Sequence, residues 1–204
     1  MSSTTKWVIG IIIIVLIVLG LWKGGYLGNA TSTDEGQGAA VVTAPVDVSD
    51  VTIANEAAAI DAQMQVAGNQ LAGFNKTPEA GKIDLLAGQL ANTGALINAL
   101  ANRMQIRATS LKGLKINTDA IQMAISNLKL QVSYASSEAG ATGELAKGIM
   151  TGKGNKDQAN NNKTIIDQAK LKFQKSYSYL VAGRMEITNA ISAFKAVTAS
   201  QGVR

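Results

Sequence analysis

Beyond residue 46 the chain repeats apolar residues with a period close to 3.5, the pattern of helices that share a seam. Ile53, Ala57, Ile60, Met64, Ala67, Leu71 and Phe74 recur at intervals of 4, 3, 4, 3, 4 and 3. This predicts a first helix from Ser49 or Asp50 to about Asn75. Thr77-Pro78-Glu79 then offers a capping threonine, a proline suited to the first helical position and a first-turn carboxylate. A second helix is predicted from there on the stripe Ile83, Leu86, Leu90, Thr93, Ile97, Leu100, Met104, Arg107 and Leu111. Lys112-Gly113-Leu114 reads as its stop, with Gly113 free to take the left-handed cap and Leu114 folding back.

A third helix is predicted at Asn117-Thr118-Asp119, where Thr118 can cap and Asp119 meets the helix dipole. Its seam is Ile121, Ile125, Leu128, Val132, Ala135, Ala139, Thr142, Ala146 and Ile149, broken by Thr151-Gly152-Lys153-Gly154-Asn155. A fourth runs from about Lys156 to Ser200 on Ile166, Ala169, Phe173, Leu180, Ile187, Ala190, Phe194 and Val197. Asn162, Ser176 and Gly183 interrupt that stripe, and Asn160-Asn161-Asn162 weakens the first turns by propensity. Short connections at 75–77, 113–117 and 151–155 make neighbouring helices antiparallel. The expected fold is all-α: an elongated up-down antiparallel bundle of three to four helices, coiled-coil-like, over residues 47–204. No 20–50-residue repeat supports a solenoid.

The N-terminus follows a different pattern. Trp7 to Trp22 reads WVIGIIIIVLIVLGLW, sixteen uncharged residues between Lys6 and Lys23, twelve of them Ile, Leu or Val. At the centre of a helix such a run favours membrane entry by roughly 4–7 kcal/mol. It would span about 24 Å, which a locally thinned bilayer accommodates. Residues 1–23 are therefore expected to form a single-pass transmembrane anchor, with Trp7 and Trp22 at the two interfaces. A cleaved signal peptide is the competing reading, since Gly28-Asn29-Ala30 puts small residues at the −3 and −1 positions. Eight residues separate that site from the apolar run, and this favours the uncleaved anchor. Residues 24–46, rich in Gly, Ala, Ser and Thr, read as a flexible spacer. The α-amino group with Lys6, against Asp34 and Glu35 downstream, places the N-terminus inside and the bulk of the chain outside the cell membrane.

Composition narrows the chemistry. The 204 residues contain no Cys and no His. That strikes out disulfides, thiolate metal sites, cysteine nucleophiles, Ser-His-Asp triads and imidazole proton shuttles. Charge is asymmetric: residues 24–75 hold six acidic and no basic side chains, while 76–204 hold seventeen basic against eight acidic. Either the acidic first helix docks on a basic hairpin, or the basic surface meets an anionic envelope polymer, lipid headgroups or nucleic acid. Only Lys170, Lys172 and Lys175 lie close together, and a nucleic-acid groove needs denser basic clusters with interleaved aromatics, so no nucleic-acid partner is expected.

The remaining motifs carry little. Gly152-Lys153-Gly154-Asn155-Lys156 lacks the spacing, the Ser/Thr and the preceding strand of a phosphate loop. Glu138 with Glu144 and Asp157 with Asp167 have no helix-face spacing for an acid–base pair, and Glu186 lies two residues from Arg184. Arg107 on the second seam suggests an ion pair or a snorkelling side chain. Tyr177 and Tyr179 beside Phe173 read as core and rim aromatics. The sequons at Asn29, Asn75 and Asn162 are read as chance. No catalytic, cofactor-binding or metal residue is assigned, and no cofactor is expected.

The stretch from Asn102-Arg103-Met104 through Leu111-Lys112-Gly113-Leu114-Lys115-Ile116-Asn117-Thr118, and on to Leu180-Val181-Ala182-Gly183-Arg184, resembles uncharacterised small envelope proteins of candidate-phyla bacteria. Those carry an N-terminal apolar segment followed by Ala- and Lys-rich helical hairpins. The resemblance implies location and architecture and brings no functional residues with it. The expectation is a non-enzymatic, membrane-anchored extracytoplasmic bundle acting as a structural or interaction module, with a protein partner or a second copy meeting its helical seams. The alternatives are a ligand- or polymer-binding sensing ectodomain and a phage spanin-like lysis protein.

Overall fold

A computed structural model describes residues 49–149 and 156–201, and every regular element among them is helical. Helix α1 spans Asp50–Lys76, α2 Ile83–Gly113, α3 Asp119–Ala146 and α4 Lys156–Gln201, with a single 3-10 turn, Ala80–Lys82, leading into α2. Each helix packs on its neighbours in chain order, and α4 closes the ring against α1. Helices α2 and α4 also meet across the diagonal, whereas α1 and α3 scarcely touch. The expected anchor, Trp7–Trp22, and the spacer at 24–46 lie outside the described residues. Among those described, no helix is long and apolar enough to cross a membrane.

The seams form the core. All seven apolar residues of the α1 stripe, Ile53 to Phe74, are buried. Ser49 caps this helix: its Oγ accepts the Thr52 N–H at 3.3 Å, and Asp50 sits in the first turn. The α3 seam is buried from Ile121 to Thr142, with Ala146 and Ile149 partly covered. The buried face of α2 is wider than its predicted stripe: Gly94, Ala101 and Ala108 form a second buried row beside it, while Arg107 stands at the edge, half-buried and paired with Asp50.

Two of the three interruptions in the α4 stripe, Ser176 and Gly183, are packing devices. Ser176 is fully buried, and its Oγ donates to the Ala135 carbonyl of α3 at 2.8 Å. Gly183 faces α3 so closely that an added Cβ would lie 3.3 Å from Leu128 Cδ1. Gly94 of α2 does the same from the other side, toward Ser136, Val132 and Leu180. Small residues at one level therefore let α2, α3 and α4 converge around Val132, which brings Leu180 of α4 within reach of α2. That is the physical reason the bundle closes across the α2–α4 diagonal.

The corners differ from expectation. Pro78 ends α1 rather than opening α2: its ring disfavours helical backbone at Thr77, whose N–H still bonds the Gly73 carbonyl at 3.0 Å. Glu79 then precedes the 3-10 turn and accepts from Lys82 Nζ at 2.9 Å. Gly113 stays inside α2, and the left-handed residue is Lys115, at φ 62°. The Lys115 N–H reaches the Lys112 carbonyl at 2.9 Å and the Ile116 N–H the Leu111 carbonyl at 3.2 Å, a Schellman arrangement. Ile116, not Leu114, folds back on the core; Leu114 is 66% exposed. At the start of α3 Thr118 holds the N-cap position, its carbonyl accepting the Gln122 N–H at 2.9 Å, but its buried side chain makes no capping bond; Asn117 Oδ1 instead accepts the Asp119 N–H at 2.8 Å. Helix α4 begins at Lys156 despite its asparagine run.

Candidate functional site

The described charged groups are organised around α1. This helix carries three acids, Asp50, Glu56 and Asp61, and the described residues contain three arginines, Arg103, Arg107 and Arg184. Each acid meets one arginine. Glu56 pairs with Arg103 and Asp50 with Arg107, both from α2, and Asp61 pairs with Arg184 from α4. The acids lie on the two flanks of the α1 seam, so the arginines grip the helix from both sides.

The Arg184 pair has the best geometry. Its Nε and Nη2 address the two carboxylate oxygens of Asp61, the latter at 2.7 Å, and Nη1 donates to Thr188 Oγ1. This fork holds the Asp61 carboxyl below the usual carboxylate range, and the same bond raises the Arg184 guanidinium. Arg107 and Asp50 are looser, with Nε and Oδ1 3.6 Å apart, beyond hydrogen-bond range. Both atoms are screened from solvent without a hydrogen-bond partner. Glutamine pairs add neutral lateral contacts: Gln89 Nε2 donates to Gln63 Oε1 at 3.0 Å, and Gln105 Nε2 to Gln122 Oε1 at 2.9 Å. The three described acids of the acidic segment thus dock α1 on α2 and α4, which are not consecutive helices, rather than on a single hairpin.

Other candidate groups are dispersed. Lys170 Nζ donates to the Asn75 carbonyl at 3.2 Å, at the C-terminal end of α1. Lys172 turns to the opposite flank and meets Glu138 of α3 at 3.0 Å, while Lys175 is exposed. The three lysines therefore diverge. Glu144 binds Lys147 at 2.7 Å, Glu186 accepts from Asn189, and Asp157 and Asp167 are exposed on α4. No group of three or more Asp or Glu could hold a metal ion among the described residues. Gly152 to Asn155 and Asn29 lie outside them. Asn75 is tied to Lys170 and Gln174, and Asn162 lies half-buried on α4.

The aromatics are structural. Phe173 is buried edge-on against Phe74, with ring centroids 5.4 Å apart. Tyr177 lies over Gly68, where an added Cβ would meet its hydroxyl at 2.6 Å. Tyr179 meets Tyr134 of α3 with ring centroids 5.3 Å apart and planes tilted by 44°. None of the family models, curated proteins or solved structures compared with this chain matches it.

One surface escapes a reading that follows only the most apolar seam. Met123, Leu130 and Tyr134 of α3 are 67%, 48% and 46% exposed. Their signal in the sequence is large apolar residues at heptad-compatible spacing on the helix face opposite the core.

Proposed function

We propose that this chain is a membrane-anchored, non-enzymatic helical bundle that serves as a structural or protein-interaction module of the cell envelope. The observation that carries the reading is the sixteen-residue run Trp7–Trp22 between two lysines, joined through residues 24–48 to a helical bundle. Support comes from how the bundle uses its charges. All three acids of α1 hold arginines, and the closest lysine group splits between an α1 carbonyl and an α3 carboxylate. That division favours a protein partner over a polyanion, because polyanion binding needs lysines converging on one face.

Protease treatment of intact cells, followed by N-terminal sequencing, tests the proposal. The expected outcome is removal of the bundle from outside and a full-length chain that still begins at residue 1 or 2. A mature chain starting at Thr31, or a protease-resistant chain in intact cells that is cut only after lysis, overturns it.

A further inference from the structure

Helix α3 carries two seams. The first, Ile121 to Thr142, fills the core. The second lies on the opposite face: Met123, Asn127, Leu130, Tyr134, Ser137 and Ala141, at intervals of 4, 3, 4, 3 and 4. The first five are exposed and the sixth half-buried. In heptad positions, Met123, Leu130 and Ser137 fall at d, and Asn127, Tyr134 and Ala141 at a. Met123, Leu130 and Tyr134 thus leave large apolar surface on the side of α3 away from the core, where the Tyr134 ring also meets Tyr179 of α4.

We propose that this second seam is the face on which a second copy of the chain docks, α3 against α3 in parallel about a two-fold axis. Three observations select that occupant. Asn127 is the single asparagine among the a positions, with Met123 and Leu130 at the adjoining d positions, and one buried asparagine at a fixes the register of two parallel helices by facing its twin. The flanking positions Ser126, Ser133 and Gly140 are small and let the two helices approach closely. The face is also free of charge: Lys129 is half-buried on the α2 flank, seven residues on from Gln122, and Glu138 is held by Lys172. Two copies that each carry a formal net charge of +5 can thus meet here without opposing like charges.

The other outward faces fit a second copy less well. Helix α2 exposes Leu85 and Ile106, too far apart to share a heptad contact. On α4 the exposed Lys175 separates Leu171 from Met185. The α3 strip is about 28 Å long at 1.5 Å per residue, so a helix pair along it falls in the small, reversible class of interfaces below about 1,200 Å².

The natural absence of cysteine makes the test direct. Single-cysteine variants Met123→Cys, Asn127→Cys, Leu130→Cys and Tyr134→Cys of the full chain in nanodiscs are oxidised and the disulfide-linked dimer is measured. Asn69→Cys on α1 and Asn98→Cys on α2, both exposed, serve as controls. The expected result is dimer at all four α3 positions and little at the controls, with Leu130→Glu lowering the Asn127→Cys yield about tenfold, the equivalent of 1.4 kcal/mol. Leu130 is solvent-facing, so this variant keeps the fold, which circular dichroism verifies. Equal yields at the controls would mean proximity through another segment and overturn the proposal. Dimer at one α3 position only would indicate an antiparallel pair, and no α3 dimer at all would exclude a second copy from this face; either result also overturns it.

Discussion

Asp61 and Arg184 show how one side-chain pair ties sequence asymmetry to packing. The sequence places six acids before Lys76 and an excess of basic residues after it, but any of seventeen cations could have answered them. Arginine was selected at all three described α1 acids, in keeping with a planar fork that matches a carboxylate and is cheaper to desolvate than an ammonium. Because the folded state depresses the Asp61 pKa, its contribution to stability is complete above the unfolded carboxyl value and is lost as pH falls through the folded one. Asp61→Asn should therefore lose less stability than the parent between pH 6 and pH 3, as read from urea midpoints. The difference should stay within about 1 kcal/mol, since the carboxylate is partly exposed and screened. Identical acid dependence in the two proteins would show that the pair contributes nothing. Ser176 makes a similar point: by composition it is a gap in an apolar stripe, and in space it is a hydrogen bond from α4 to the α3 backbone.

Helices, as elements, followed their periodicity closely, while the corners at Thr77-Pro78 and Gly113–Lys115 did not follow their cap signatures. The α1 seam is legible residue by residue because burial of one helix face depends only on the 3.6-residue turn. Ends depend on a few backbone angles that several neighbouring residues can satisfy. Thr77-Pro78 could open a helix or close one; Gly113 and Lys115 were both within reach of the left-handed position. The outcome places a lysine where a glycine would be unstrained, at φ 62°. Lys115→Gly should therefore raise stability by roughly 0.5–1 kcal/mol, the relief of a left-handed side chain less the added freedom of the unfolded chain. Thermal unfolding would show a higher midpoint, and an unchanged or lower midpoint would mean that the Lys115 stem contributes packing of its own. Arg107 gives the opposite lesson. Periodicity put it on the seam, but there the core is filled by Ala108, in one row with Gly94 and Ala101, and Arg107 stays at the edge with Asp50.

At the scale of the whole molecule, stability rests on the contact of α3 with α4, the most extensive in the bundle, and on the narrowing around Val132. Leu128 is wholly buried there and packs on Gly183. Leu128→Asp buries an unpaired carboxylate and should cost more than about 4 kcal/mol, enough to abolish cooperative unfolding in a protein of ordinary stability. Lys172→Ala, which removes only a partly exposed ion pair, should cost about 1 kcal/mol or less. Paired denaturation curves followed by circular dichroism check both, and comparable losses in the two variants would contradict this assignment of the core.

The sequence by itself determined that residues beyond 48 form helices, where most of them run, and which face of each turns inward. Those properties are local: a 3.6-residue period exposes one stripe whatever the partner is. Tertiary structure alone decided that Arg103, Arg107 and Arg184 meet the acids of α1, that Lys115 rather than Gly113 takes the left-handed position and Asn117 rather than Thr118 gives the side-chain bond to α3, and that Gly94, Ser176 and Gly183 draw three helices together. These depend on the register between helices, which is set by side-chain volumes many residues apart in the chain. The second seam of α3 belongs to both. Its spacing is written in the sequence, but only the packed bundle shows that Met123 and Leu130 stay exposed and that Tyr134 meets Tyr179 of α4.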